Sequence, residues 1–150
     1  MIYLWNVTGL EKDIKEKRLT NNDYAIYSIA FLSLYMVLLF LAIIQIYEAW
    51  NSEMVLVQMA VSGLGIYYAY HSNGGSRGVN FRNKFFSVGW IFLLRSLFFM
   101  SIGMLNLYVM TYLFSLEALF SIKNSIIIGL LFEMLLYWRI AKHMETLKSS

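Results

Sequence analysis

Arg95 and Glu133 are the residues whose types and placement could do chemistry, because each interrupts a long apolar run that holds no other charge. An arginine in hydrocarbon costs roughly 2.5–3.5 kcal/mol on insertion scales, so it is expected to face other helices and to have a partner. Glu133 is the natural one. Arg95 lies ten residues past Phe85, about 15 Å along a helix and near a bilayer midplane. Glu133 precedes Arg139 by six residues, about 9 Å. Side chains lean toward the N-terminus of their own helix, so on antiparallel neighbours these two would converge. Gly129, one turn from Glu133, would leave room for the guanidinium. Such a pair could relay a proton or ion, or hold an anion or lipid phosphate at Arg95. It could equally be a salt bridge that fixes helix register. The spans contain no further carboxylate, no His and no Pro, which favours the bridge.

Small and polar residues surround the pair at packing intervals. Gly89, Ser96 and Gly103 recur every seven residues, and Gln58, Ser62, Gly65 and Ala69 follow a 4-3-4 pattern. Asn106 returns to within about 20° of the Arg95 face. All are expected to point into a bundle interior. The loop from His71 to Lys84 carries a glycine cluster with Arg77, Arg82 and Lys84. It lacks the Lys-Ser/Thr ending and the preceding strand of a nucleotide loop. Contact of those three cations with anionic headgroups is the expected use. His71 and His143 have no third ligand nearby and cysteine is absent, so no metal or other cofactor is expected. No serine has a His and a carboxylate at comparable depth, and the chain reads as non-enzymatic.

The elements that must position these residues follow from hydropathy. Of 150 residues, 59% are hydrophobic, 17% aromatic and only 14% charged, against about 25% charged in ordinary globular domains. Uncharged or nearly uncharged runs cover 24–47, 54–70, 85–112 and 122–140, each near the roughly 17–25 residues that a spanning helix needs. Their length and lack of alternation favour helices, and four strands could not close a barrel. The expectation is an all-α membrane protein, a four-helix transmembrane bundle over 24–140, with residues 1–23 before it and a tail at 141–150. Ten of the twelve basic residues fall in the N-terminal segment, the middle loop and the tail. The other two loops hold Glu48, Glu53 and Glu117 with Lys123 alone. That bias predicts both termini inside, in the cell's inner (plasma) membrane. Tyr67, Tyr68, Tyr70, Tyr137 and Trp138 would form one interfacial belt, with Tyr47, Trp50, Tyr108 and Tyr112 forming the other.

In the N-terminal segment, Thr8 with Glu11 fits a capping box and predicts a short helix from Gly9 to Leu19. Leu10 and Ile14 share one of its faces. Either that face lies on headgroups, with Ile2, Leu4 and Trp5 beside it, or the segment is a solvated tether. Any of Thr20, Asn21, Asn22 and Asp23 could cap the first span.

Two functions compete. One is an interaction subunit that assembles with itself or a larger membrane complex, its partners being the lipid bilayer and other helices. Toxin immunity or phage defence is a narrower form, by analogy with other small basic multi-span proteins. The other is an oligomeric channel or small transporter built on the Arg95–Glu133 pair. A nucleic-acid partner is excluded by the lack of a continuous basic face.

Overall fold

The computed structural model of the chain describes residues 2–47, 52–114 and 122–148. Among them every regular element is helical: α1 (Val7–Lys15), α2 (Asn21–Tyr47), α3 (Ser52–Ser72), a 3-10 turn (Gly75–Arg77), α4 (Phe81–Phe114) and α5 (Ile122–Thr146). Each of the four long helices encloses one expected span and exceeds it at one or both ends. Within α4, Phe81–Leu113 is long and apolar enough to cross a membrane, the one such segment among the described residues. Glu48, Trp50 and Glu117 lie outside the described residues.

The short helix begins two residues earlier than its sequence signal implies. Asn6 is the N-cap, its Oδ1 accepting from the Gly9 amide at 2.9 Å, so Thr8 falls inside the first turn. An asparagine in extended geometry outcompetes a threonine for this role. The helix also ends early. Lys17 adopts φ 53°, and the amides of Lys17 and Arg18 bond back to Ile14 and Asp13. That pair of bonds is a Schellman stop, here built on a lysine where glycine is usual. The next helix starts on a reciprocal box: Thr20 Oγ1 and its amide both donate to Asp23, whose amide returns a bond to Thr20. Between α3 and α4, Gly74 and Gly75 both take positive φ, which lets the chain reverse tightly.

The four long helices pack as an open row. α3 lies against α5, α5 against α4, and α4 against α2, while α2 and α3 share no substantial contact among the described residues. α1 packs against α4. Every buried apolar side chain described sits at this α1 end of the molecule. Leu10 and Ile14 of α1 belong to one cluster with Tyr27 and Phe31 of α2, Ala69 of α3, Phe85, Val88 and Ile91–Leu93 of α4, and Tyr137, Ile140, Ala141 and Met144 of α5. Phe31 is a hub, with its ring 5.5 Å from Phe86 and 6.1 Å from both Tyr35 and Phe85. The Leu10 and Ile14 face of α1 is therefore covered by protein, while Ile2, Leu4 and Trp5 ahead of it stay exposed. Tyr137 is likewise a core residue and not a belt residue.

Candidate functional site

Arg95 and Glu133 do not meet. Lys84 Nζ donates to the Leu147 carbonyl at 2.7 Å, and Gly89 lies beside Ile140. That register makes α4 and α5 antiparallel neighbours and sets Arg95 about level with Leu135, within a turn of Glu133. The two charges lie at similar height along the paired helices, but neither turns to the other, because each finds acceptors or donors elsewhere.

Glu133 turns to α3. Its carboxylate accepts from the Gln58 amide and from Ser62 Oγ, the latter at 2.5 Å. Gly65 explains the approach: a Cβ there would overlap the Tyr137 ring, so α5 can close on α3 only over a glycine. Tyr137 follows Glu133 by one turn, and Ser62 and Gln58 precede Gly65 by one and two turns. Seating Tyr137 on Gly65 thus brings both donors to the carboxylate.

Arg95 turns to the N-terminal segment. One guanidinium nitrogen donates to the Trp5 carbonyl at 2.5 Å, and Cζ stands 5.4 Å from the Trp5 ring and 5.6 Å from that of Phe92. A carbonyl just ahead of a helix has no intrahelical donor, so it is a ready acceptor. Two ring faces add cation–π attraction. Trp5 also packs edge-on against Phe98 at 5.5 Å. The strap is held at its other end by Tyr3, whose amide donates to Tyr27 Oη at 2.6 Å and whose hydroxyl donates to Asp13 at 2.8 Å. The bond to Asp13, followed by burial, raises the Tyr3 phenol above its ordinary pKa.

No family model, curated protein or solved structure matches this chain. What it can do is therefore argued from its own residues.

The remaining expected positions divide. Gly65 and Ser62 lie in the α3–α5 seam, and Gln58 reaches it while staying exposed; Ser96 is half-buried. Gly103 and Asn106 are exposed rather than interior, and the Asn106 amide donates to its own helix at the Ile102 carbonyl. A Cβ at Gly103 or Gly129 would meet nothing within 4 Å, so Gly129 receives no guanidinium. Arg77 and Arg82 are exposed. Lys84 is not: it is 2% exposed and its ammonium caps the end of α5, where a cation complements the helix dipole. The glycine loop uses the amides of Gly74, Arg77 and Gly78 on its own carbonyls, which removes them from any phosphate cradle.

His71 bonds Tyr67 on the same helix, and His143 Nδ1 lies 2.6 Å from Glu11, which also accepts from Thr146. Among the described residues no three potential ligands group around a metal position. The Glu11–His143–Thr146 clamp and the Trp5 strap both join segments ninety or more positions apart, and no spacing between the residues suggests either. Trp5 and Tyr3 ahead of an N-cap were the available hint.

Proposed function

We propose that this chain is a non-enzymatic multi-pass membrane protein that crosses the bilayer four times with both termini inside. It acts as an assembly subunit whose far helix halves dock on another copy or on a larger membrane complex. Length and surface together support the crossings. The long helices have 27, 21, 34 and 25 residues, the shortest about 32 Å at 1.5 Å per residue, against a hydrocarbon thickness of about 30 Å. Their outward faces are apolar: Ile29 and Phe40 on α2, Leu56 and Leu64 on α3, Leu105 and Leu113 on α4, and Leu131 on α5 are all exposed. Water does not tolerate apolar surface on this scale, and lipid does.

The length of α4 also moves Arg95. At about 51 Å it exceeds one hydrocarbon thickness by about 20 Å, and its inner part, Phe81–Leu93, packs within the protein core. On this reading Arg95 stands in the inner half of the bilayer, about 6 Å from the level of Arg139, with the exposed Trp5 ring over its guanidinium. An arginine there costs less than one at the midplane.

One observation carries the assembly reading. No described side chain from Phe98 to Leu113 is buried, and Gly103 and Gly129 have open space where a neighbouring helix would sit. Small residues in spans serve close helix approach, and here the helix that would approach is not in the protomer. The channel reading loses its support, because Arg95 and Glu133 form no relay.

The absence of cysteine makes the test clean. Gly103→Cys in native membranes is expected to form a disulfide-linked dimer, or to crosslink to one other membrane protein, while Ser76→Cys does neither. Cysteines at Asn51 or Leu119 should label from outside with an impermeant reagent, and Ser76→Cys should stay protected. A monomer in nanodiscs by native mass spectrometry, with no crosslink at position 103, rejects the assembly reading.

A further inference from the structure

We propose that the groove between α3 and α5 binds an anionic phospholipid, with an acyl chain along the groove and the phosphate on Arg139 and Lys142. This rests on the membrane reading above. The groove encloses about 220 Å³. Gly65 and the Tyr137 ring form its floor, and Leu64, Tyr68, Met134 and Trp138 form its walls. The lining is almost wholly apolar and opens outward, as an alkyl chain requires and a soluble ligand does not. Leu64, Tyr68, Met134 and Trp138 are exposed, so none of the described residues covers it.

Charge at one end gives the occupant its head. Arg139 Cζ lies 5.1 Å from the Trp138 ring and Lys142 Nζ 5.8 Å from it, so two cations are gathered on the residue that closes the groove. Both are exposed, and among the described residues neither is held in an ion pair. Under the proposed topology α3 and α5 both run inward here. The apolar stretch then lies in the inner leaflet and the cations lie at its headgroup level, the order of parts in an anionic phospholipid. Basic sites between helices on the cytoplasmic side are suited to such headgroups. Tryptophan between chain and phosphate suits the interface.

The test is native mass spectrometry of the protein released from nanodiscs of phosphatidylcholine containing a minority of phosphatidylglycerol. The unmodified chain is expected to retain phosphatidylglycerol preferentially. One interfacial cation is worth about fivefold in this preference and two roughly thirtyfold. Arg139→Gln and Lys142→Gln singly should each lower it by that single step, and the double variant should abolish it. Met134→Trp fills the groove without touching the cations and is expected to remove bound lipid of both kinds. All three positions are exposed, so folding is not at stake, and circular dichroism checks it. Carbonate washing of membranes separates the two failures. If the chain washes off, the membrane reading fails and this site with it. If it stays in the bilayer but the double variant keeps its preference, or Met134→Trp keeps its lipid, this proposal alone is overturned.

Discussion

The α1 end of the molecule and its far end are built from the same kind of sequence and packed in opposite ways. At the α1 end, apolar side chains meet one another and distant polar groups find partners, as in Lys84 with Leu147 and Glu11 with His143 and Thr146. At the far end, the apolar side chains of α4 face outward, and Ser101 and Asn106 fold back onto carbonyls of their own helix at 2.8 Å. Hydropathy alone does not separate these two ends. The difference lies in what crosses them. Among the described residues, α1 and the strap lay a second layer of chain over α4 as far as Phe99, and nothing comparable covers the rest. A helix interior needs a partner surface of the same chain, and a short chain supplies one at a single end.

Truncating the core at each end gives the largest contrast. Leu10 is wholly buried between α1 and α4, whereas Leu105 is 64% exposed. Leu10→Ala is expected to cost about 2–5 kcal/mol through lost contacts and a residual cavity. Leu105→Ala should stay within about 0.5 kcal/mol for the isolated protomer. Thermal unfolding in detergent, followed by circular dichroism, measures both. Equal losses would mean that the far end is packed as tightly as the near one.

The glycines give a contrast of intermediate size. A methyl at Gly65 runs into the Tyr137 ring, while one at Gly103 enters open space. Gly65→Ala should destabilise by about 1–3 kcal/mol as the seam is forced apart. It should also loosen the Glu133 bonds to Ser62 and Gln58 that the close approach creates. Gly103→Ala should stabilise the lone protomer by roughly 0.5–1 kcal/mol through helix propensity. If that variant instead unfolds earlier in membranes than in detergent, a neighbouring helix on that face is the cause, which sharpens the comparison.

How far the sequence could be read follows the same divide. The helices were legible because hydropathy sets their cores, and Thr20 with Asp23 marked one start. The antiparallel contact of α4 and α5 was legible from a short connection. The role of Gly65 was legible as spacing. What was not legible was rotation. Glu133 and Ile140 lie within about 20° of one another around α5, yet Glu133 reaches α3 while Ile140 sits beside Gly89 of α4. Spacing fixes a stripe, and the neighbour that a long side chain reaches depends on which helix comes closest. The destination of α1 was not legible for a related reason: an amphipathic face with Leu10 and Ile14 suits lipid and protein equally. Lys84 misled because its composition resembles a headgroup contact, and only the end of α5 above it gives the ammonium a different use.

The smallest expected quantity, a coupling energy within about 0.3–0.5 kcal/mol of zero, tests the least expected feature, that two charges at one level do not interact. Arg95 bonds the Trp5 carbonyl and Glu133 bonds Gln58 and Ser62, with no partner shared between them. Arg95→Gln and Glu133→Gln are each expected to destabilise, the first by freeing the strap and the second by weakening the α3–α5 seam. Hydrogen bonds to charged groups are worth about 1.5–3 kcal/mol each, which sets the scale of both losses. Residues without a shared partner add to within about 0.3–0.5 kcal/mol. The double variant should therefore lose the sum of the two single losses. A bridge would behave otherwise, because removing either member alone leaves a charge stranded and removing both relieves it, giving a coupling of about 0.5–3 kcal/mol. Urea unfolding of all four proteins in one detergent measures the cycle. Coupling in that upper range would restore the ion pair and with it the case for a relay. Additivity would leave the strap and the seam as two separate fastenings that happen to share a level.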